Sequence, residues 1–489
     1  MIESADNLRS RIITGLAWKV VSQVFRQGSR VAVAIVLARL LTPHDYGLAA
    51  MVLAFSALVI IFSDLALGAA LVQRRELTEA DRSTVFWVSA AVGVVFTLLG
   101  VAFSYPVAAF FGEPSVQPLF AAFSVSFLVT ALGTTQTALL SRDMNFKSLE
   151  LRMMAGTAVG GVVGIWLALE GYGAWAIIGQ QLAIAGVSTV LLWALSPWRP
   201  RFVFSVDTLR DYWRFSGSVF GTRLLFYLNR NADNVLIGRF LGSAALGVYA
   251  VAYNIMLMPL SRIAQPVVEV LFPAFSRMQD ERPRMASAWL RGNRLIGAIT
   301  IPAMLGLMVV APEFVRVVLG RRWEEAIPVI QLLAWVGLLQ SVQRLNSSVL
   351  MACDRARTLL MYSVVVLVAS LAAFVFGLQW GIVGVAAAYA ASSTVVELYY
   401  TWLTARVLEI SPWALARSLS GVLQASVGMR AVVLFTRMLL VDAGVGDALR
   451  LISLTALGVL TFAALCWWRA PDVVGELRGL RRRPAPAPA

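Results

Sequence analysis

Arginines set inside long apolar runs are the residues of this chain whose type and spacing can do chemistry. Arg26 and Arg30 stand four apart, on one face of a helix, with Gln23 and Gln27 beside them. Arg223, Tyr227, Arg230 and Asn234 make a second stripe flanked by Asp233, and Arg262, Gln265 and Glu269 a third. Asp64 lies alone in a further apolar run. A cation facing lipid at the bilayer centre costs about 2.5–3.5 kcal/mol even on the lenient insertion scale. These side chains must therefore face one another or a wet cavity. The five arginines named outnumber the three carboxylates, leaving two positive charges that pairing does not neutralise. A guanidinium presents a planar, permanently charged fork to phosphate, so the excess predicts an anion site. The competing reading is structural pairing, Arg30 with Asp64 and Arg230 with Asp233.

Other polar groups carry weaker signals. Glu397 lies deep in a late apolar run, where it is a candidate to carry a proton or sodium ion, or to pair. Arg344, with Gln340 and Ser347, extends the polar surface. Glu313 precedes Arg316 by three residues, which predicts a local pair. Arg39 and Arg239 stand at run ends, where snorkelling to the interface is expected. His44, the sole histidine, reads as a turn residue in TPHDYG. Lys19 and Lys147 lie in no phosphate-binding loop, so nucleotide hydrolysis is excluded, and no enzyme signature is found. Cys353 and Cys466 are too far apart in sequence to suggest a disulfide or a metal site, and no cofactor is indicated.

The elements that position these groups are read from composition. Of 489 residues, 59% are hydrophobic and 14% charged, and the mean hydropathy is +0.76, so lipid is the solvent for most of the chain. The net charge of +14 is dispersed among apolar runs, which argues against nucleic acid and for basic cytoplasmic loops. Spans are predicted over Trp18–Leu41, Tyr46–Val72, Thr84–Phe111, Val116–Leu140, Leu149–Leu169 and Gly173–Leu195. A polar connection, SPWRPRFVFSVDTLRDYWR, precedes Ser216–Leu241, Leu246–Phe275, Leu295–Leu319, Ala326–Met351, Leu359–Leu378 and Gly381–Ala405. Leu415–Leu440 and Asp447–Trp468 bring the count to fourteen. The expected division is an N-terminal lobe (1–215), a C-terminal lobe (216–410), two further helices (411–470) and a basic, Pro-rich tail (471–489). Arginine is concentrated in alternate loops, which places both termini in the cytoplasm. The first span is expected to remain uncleaved.

The halves are related. At an offset of 200, Arg230 falls on Arg30, Arg239 on Arg39, Leu241 on Leu41 and Gly247 on Gly47. AAFFGEPSVQPLF likewise resembles RVVLGRRWEEAIPVI, pairing Gly112 with Gly320. Six spans per half bring both in from one side, so the expected architecture is two parallel six-helix repeats about an axis along the membrane normal, all-α throughout.

LARLLTPHDYGLAAMV at 37–52, NADNVLIGRFLGSAALGVYAVAYN at 231–254 and VLFPAFSRMQ at 270–279 together resemble the polysaccharide and lipid-linked oligosaccharide flippases of the MOP superfamily, the Wzx-type transporters. The resemblance spans nearly the whole chain and is nearest to the colanic-acid-type subgroup. It implies a polyprenyl-diphosphate-linked oligosaccharide moved between leaflets of a bacterial inner membrane by alternating access. The cavity cations would then receive the diphosphate, and Tyr227, Asn234, Gln265 and Gln340 would offer hydroxyl, amide and ring surfaces to sugar. Membrane lipids, and a polysaccharide polymerase with its export machinery, are the partners this implies. A multidrug or ion antiporter of the same superfamily and a non-transporting scaffold of a polysaccharide assembly complex are the alternatives. A drug exporter is expected to favour carboxylates for cationic drugs, and the arginine excess argues against it.

Overall fold

The fold is that of a computed structural model, which describes residues 5–63, 71–72, 77–473 and 475–476; the side chains of 5–17, 19–20, 57–63, 206–226 and 228–229 lie outside that description. Every regular element among the described residues is a helix. The chain divides into two compact units, 1–247 and 248–489, rather than at the 215/216 boundary read from the sequence.

The first unit holds α1 (Ala5–Leu40), α2 (Pro43–Ser63), α3 (Glu79–Phe111), α4 (Val116–Ala131), α5 (Thr134–Arg142), α6 (Phe146–Leu169) and α7 (Trp175–Leu195), with α8 (Val206–Pro259) up to Gly247. Helix starts are set by local chemistry. Thr78 and Asp81 form a reciprocal capping box on α3, and Thr42 and Asp45 exchange the same bonds at α2. Met51, Leu119, Ile178, Leu192 and Ile237 are fully buried in its core.

The α8 helix corrects the sequence reading, because it begins at Val206 rather than Ser216. VDTLRDYWR contains no glycine or proline to stop a helix, and the preceding strap is tied down on α3. There Trp198 Nε1 donates to Glu79, and the Arg201 and Ser205 amides donate to Ser83 and Thr84. The same helix is broken at Gly242, whose φ of 85° is left-handed.

The second unit continues through a single π-helical turn (Leu260–Ala264) to α9 (Gln265–Arg277) and α10 (Arg282–Phe314). A second π turn (Val315–Leu319) leads to α11 (Ala326–Gln343), α12 (Asn346–Ala352), α13 (Ala356–Gly377), α14 (Gly381–Val407), α15 (Ala414–Asp442) and α16 (Asp447–Arg469). Trp289, Trp323, Phe275 and Leu333 are buried at its centre, where α10 and α11 pack together. Ten helical stretches among the described residues are long and apolar enough to cross a membrane. Their large apolar side chains face outward as often as inward, Leu98, Val162, Val190, Leu398, Phe435 and Leu460 among them. Such a surface is stable only against lipid, and the chain is a multi-pass membrane protein.

Candidate functional site

Arg26 is the best-defined of the intramembrane arginines. It is 9% exposed, and its guanidinium meets Glu150 of α6 at 3.0 Å, Gln23 at 3.1 Å and the Met153 sulfur at 3.0 Å. Ser22 donates to the same carboxylate at 2.5 Å. Glu150 is therefore a carboxylate absent from the sequence reading, and it neutralises Arg26, with Arg152 acting on both. Arg30, on the same helix, is exposed, as is Arg230 on α8. Asp64 and the Arg223 side chain lie outside the described residues.

The α8 stripe is held against α2. The Tyr227 hydroxyl donates to the Ala54 carbonyl at 2.6 Å and is buried. Its hydrogen bond is committed to packing and not to a ligand. Asp233 is also buried, accepting from the Asn234 amide at 2.8 Å, while Asn234 itself is half-buried. Beyond the Gly242 break, Ser243 Oγ donates to Glu113 at 2.6 Å and lies 2.6 Å from His44 Nδ1. A hydroxyl has one proton, so the second bond requires the histidine proton on Nδ1. His44 is thus part of a three-element relay and not merely a turn residue. A lone histidine beside a helix start gave no sign of this in the sequence.

In the second unit Arg262 sits within the π turn and is exposed; Gln265 and Glu269 are also exposed and 3.5 Å apart. The π turn adds a residue to the helical period just where the predicted i, i+3, i+7 stripe begins. Glu397 on α14 accepts from the Tyr362 hydroxyl of α13 at 3.4 Å, and the Tyr362 and Tyr400 rings stack at 3.7 Å. Arg344, at the break between α11 and α12, acts on Glu397 electrostatically. Gln340 donates to the Tyr389 hydroxyl at 3.0 Å. A chain of buried amides, from Trp289 through Asn346 and Gln343 to Thr401, runs alongside.

The expected Glu313–Arg316 pair is not made. Glu313, fully buried, takes both oxygens to Arg437 of α15 at 2.9 and 3.0 Å. Arg316 turns instead to Glu324 at 2.9 Å and Asp447 at 3.8 Å. The π turn that starts at Val315 carries Arg316 off the helical register that would have brought it back to Glu313.

Between α10, α15 and α16 lies an apolar groove of about 840 Å³, lined by Leu295, Ile299, Met429, Val433, Leu454 and Phe462. Arg437 and Asp447 tie α15 and α16 to the C-terminal end of α10. More than three turns into α10, Arg294 holds Asp472 at 2.9 Å and Glu476 at 3.1 Å. Burial pushes the Glu476 carboxyl up from its ordinary range, against the pull of Arg294 and Arg291.

Residues 36–328 match the model of a family described as polysaccharide biosynthesis protein. The chain is 30% identical over 356 residues to the lipopolysaccharide biosynthesis protein WzxC of Escherichia coli K12, covering 71% of each. It is 30% identical over 355 residues to the teichuronic acid biosynthesis protein TuaB of Bacillus subtilis, covering 72% of this chain and 73% of that one. Among solved structures it resembles the lipid II flippase MurJ in an inward closed conformation, with a TM-score of 0.75 at 16% identity over 94% of this chain and all of the other. An inward-facing multidrug MATE transporter of the MOP superfamily has a TM-score of 0.62 at 15% identity, over 79% and 96%. These two likenesses establish a shared fold.

Proposed function

The chain belongs to the polysaccharide biosynthesis protein family, within the MOP superfamily, and from that premise we propose that it flips a polyprenyl-diphosphate-linked oligosaccharide across a bacterial inner membrane. Transport runs from the cytoplasmic to the outer leaflet by alternating access, and both termini face the cytoplasm. The observation that carries the reading is a set of arginines within apolar helices of a protein whose relatives are named for polysaccharide synthesis and transport. A diphosphate is the anion that such a set suits, since each forked guanidinium gives it charge-assisted hydrogen bonds.

Division of labour follows from chemistry. Arg30, Arg223, Arg230 and Arg262 receive the diphosphate, while Arg26 is largely neutralised by Glu150. Asn234, Gln265, Gln340 and Arg344 offer polar contacts to sugar, and Tyr227 shapes the site through its bond to Ala54. Asp64, Asp233, Glu269 and Glu397 are the carboxylates available for ion coupling or pairing. The groove between α10, α15 and α16 takes the polyprenyl tail, because its mostly apolar lining strands no polar group against hydrocarbon.

The experiment is reconstitution. Proteoliposomes loaded with a fluorescent polyprenyl-diphosphate oligosaccharide should expose it to an external quencher only when the protein is present. Equal exposure in protein-free vesicles, or transport of an uncharged glycolipid at the same rate, overturns the reading.

A further inference from the structure

The strap between α7 and α8, residues 196–205, is held more firmly than a connection needs to be. Pro197 and Pro200 fix two of its backbone angles. Trp198 Nε1 donates to Glu79 at 2.9 Å, the Arg201 amide to Ser83 at 3.1 Å and the Ser205 amide to Thr84 at 2.9 Å. In return Trp87 Nε1 of α3 donates to the Arg201 carbonyl at 2.9 Å. What this framework presents outward is apolar. Phe202 is 93% exposed, although its ring stacks on Trp87 at 4.9 Å, and Val203 and Phe204 are exposed beside it. Ordering a backbone to hold bare phenyl rings in water costs entropy and buries nothing. The rings therefore need a second apolar phase.

Position names that phase. The strap leaves the end of α7, whose 21 mostly apolar residues match the ~30 Å thickness of a hydrocarbon core. It is bonded to the first two turns of α3, a second span that starts at the same level. The strap thus runs where hydrocarbon gives way to headgroups, the depth at which aromatic side chains collect. Charge completes the match. Arg199 and Arg201 alternate with apolar residues in WRPRFVF, and the strap itself holds no carboxylate. Of the acids on α3, Glu79 accepts from Trp198 Nε1 and the Ser83 hydroxyl, and Asp81 caps the helix with Thr78. Arg199 meets the Ser196 and Trp198 carbonyls and the Trp193 ring, none of which cancels its charge. Arg201 is exposed. From 196 to 214 the sequence carries four arginines and two aspartates, so the whole connection is a net cation.

We propose that the strap is an interfacial anchor for an anionic lipid surface. Phe202 and Phe204 enter the boundary between headgroups and acyl chains, while Arg199 and Arg201 engage the headgroup anions. A bilayer is favoured over a docking protein because the flanking spans already put the strap at its surface. The anchored strap also fixes the start of α8 at Val206, the helix that carries Arg223 and Arg230. This contact with lipid does not rest on what the protein carries.

The test uses the full-length protein in nanodiscs of phosphatidylcholine, and of an equal mixture with phosphatidylglycerol. With Cys353→Ala and Cys466→Ala in place, an environment-sensitive dye is attached at Phe202→Cys. Lipids brominated near the top of the acyl chain should quench the dye strongly, and aqueous iodide should quench it little. Comparing the two brominated lipids gives a relative binding constant, which should favour phosphatidylglycerol. It should fall about fivefold for each arginine changed to glutamine, the worth of ~1 kcal/mol per cation at an anionic surface. High salt should shrink the preference in the same way. Phe204→Ser should admit more iodide to the dye. Quenching by iodide alone puts the strap outside the membrane and overturns the anchor in favour of a protein-facing surface. Equal binding of the two lipids, or a preference that survives Arg201→Gln, overturns the anionic assignment. Should Arg199→Gln not fold, having lost its bonds to the carbonyls after α7, Arg201→Gln decides, because Arg201 holds the strap through its backbone.

Discussion

Gly47 and Gly247 are reciprocal partners in one close helix crossing. A Cβ on Gly47 would overlap the carbonyl oxygen of Ser243, and a Cβ on Gly247 would overlap that of Pro43. The contacts cross over, 47 with 243 and 43 with 247, and exchange under the offset of 200 seen in the sequence, which puts 43 on 243 and 47 on 247. Each glycine thus admits the backbone that starts the other helical segment, and the His44–Ser243–Glu113 bonds close over the same corner. Backbone cannot yield as a side chain tip can. Gly47→Ala and Gly247→Ala should each destabilise the protein by at least the ~1–3 kcal/mol usual for overpacking. Gly28→Ala, where nothing lies within 4 Å, is the control and should stabilise by up to about 1 kcal/mol through helix propensity. Thermal unfolding of the purified protein checks this, and a Gly47→Ala melt equal to that of Gly28→Ala would refute the close crossing.

How far the sequence was legible depends on whether a feature is local. Apolar runs announced their helices, because hydropathy and length are properties of a contiguous segment. Gly112 and Gly320, matched by motif alone, both close helices with positive φ, at 70° and 104°. Pairing was different. Arg26 meets a carboxylate across a separation of more than a hundred residues, and the sequence shows only that Glu150 exists. Glu313 likewise passes over its neighbour Arg316 for Arg437. A local rule assumes an unbroken α-helix, and the π turn after Phe314 removes that assumption. The start of α8 was missed for another reason, since a polar composition read as a loop while nothing in it prevents a helix.

The Glu313–Arg437 pair tests how α15 is attached to α10. Removing one partner of a buried pair leaves an uncompensated charge and costs about 3–5 kcal/mol. Arg437→Met should therefore lower the melting temperature markedly, because Glu313 is wholly buried. Glu313→Gln with Arg437→Met should recover much of the loss, since no charge is stranded. Additive effects in the double-mutant cycle would mean that the two side chains contribute independently.

Coupling to an ion gradient makes a separate prediction. Intramembrane carboxylates are functional candidates by default, and Glu397 is one held between two helices through Tyr362. Glu397→Gln, Asp64→Asn and Glu269→Gln are each expected to bind substrate normally. The one at the coupling position should lose gradient-driven flipping while retaining exchange at zero gradient. Normal gradient response in all three would leave the substrate gradient as the driving force.

Arg30 and Arg230 provide the sharpest division between a phosphate site and a structural pair, with Arg26 as the internal reference. Arg26 is buried on Glu150, so Arg26→Ala should reduce the amount of folded protein, and Glu150→Gln in the same chain should restore much of it. Arg30 and Arg230 are exposed on their helices, so their loss should leave protein level and melting temperature nearly unchanged. Transport should respond instead. Lysine keeps the charge but loses the bidentate fork, so Arg30→Lys and Arg230→Lys should transport weakly, and alanine at either position should abolish export. If Arg230 served only to neutralise Asp233, then Arg230→Ala with Asp233→Ala would regain the function lost in the single variant. Polysaccharide export at matched protein level reads all of these together. Recovery in that double variant would reduce Arg230 to a structural role, whereas continued loss, with the fold intact, is the result a diphosphate ligand requires.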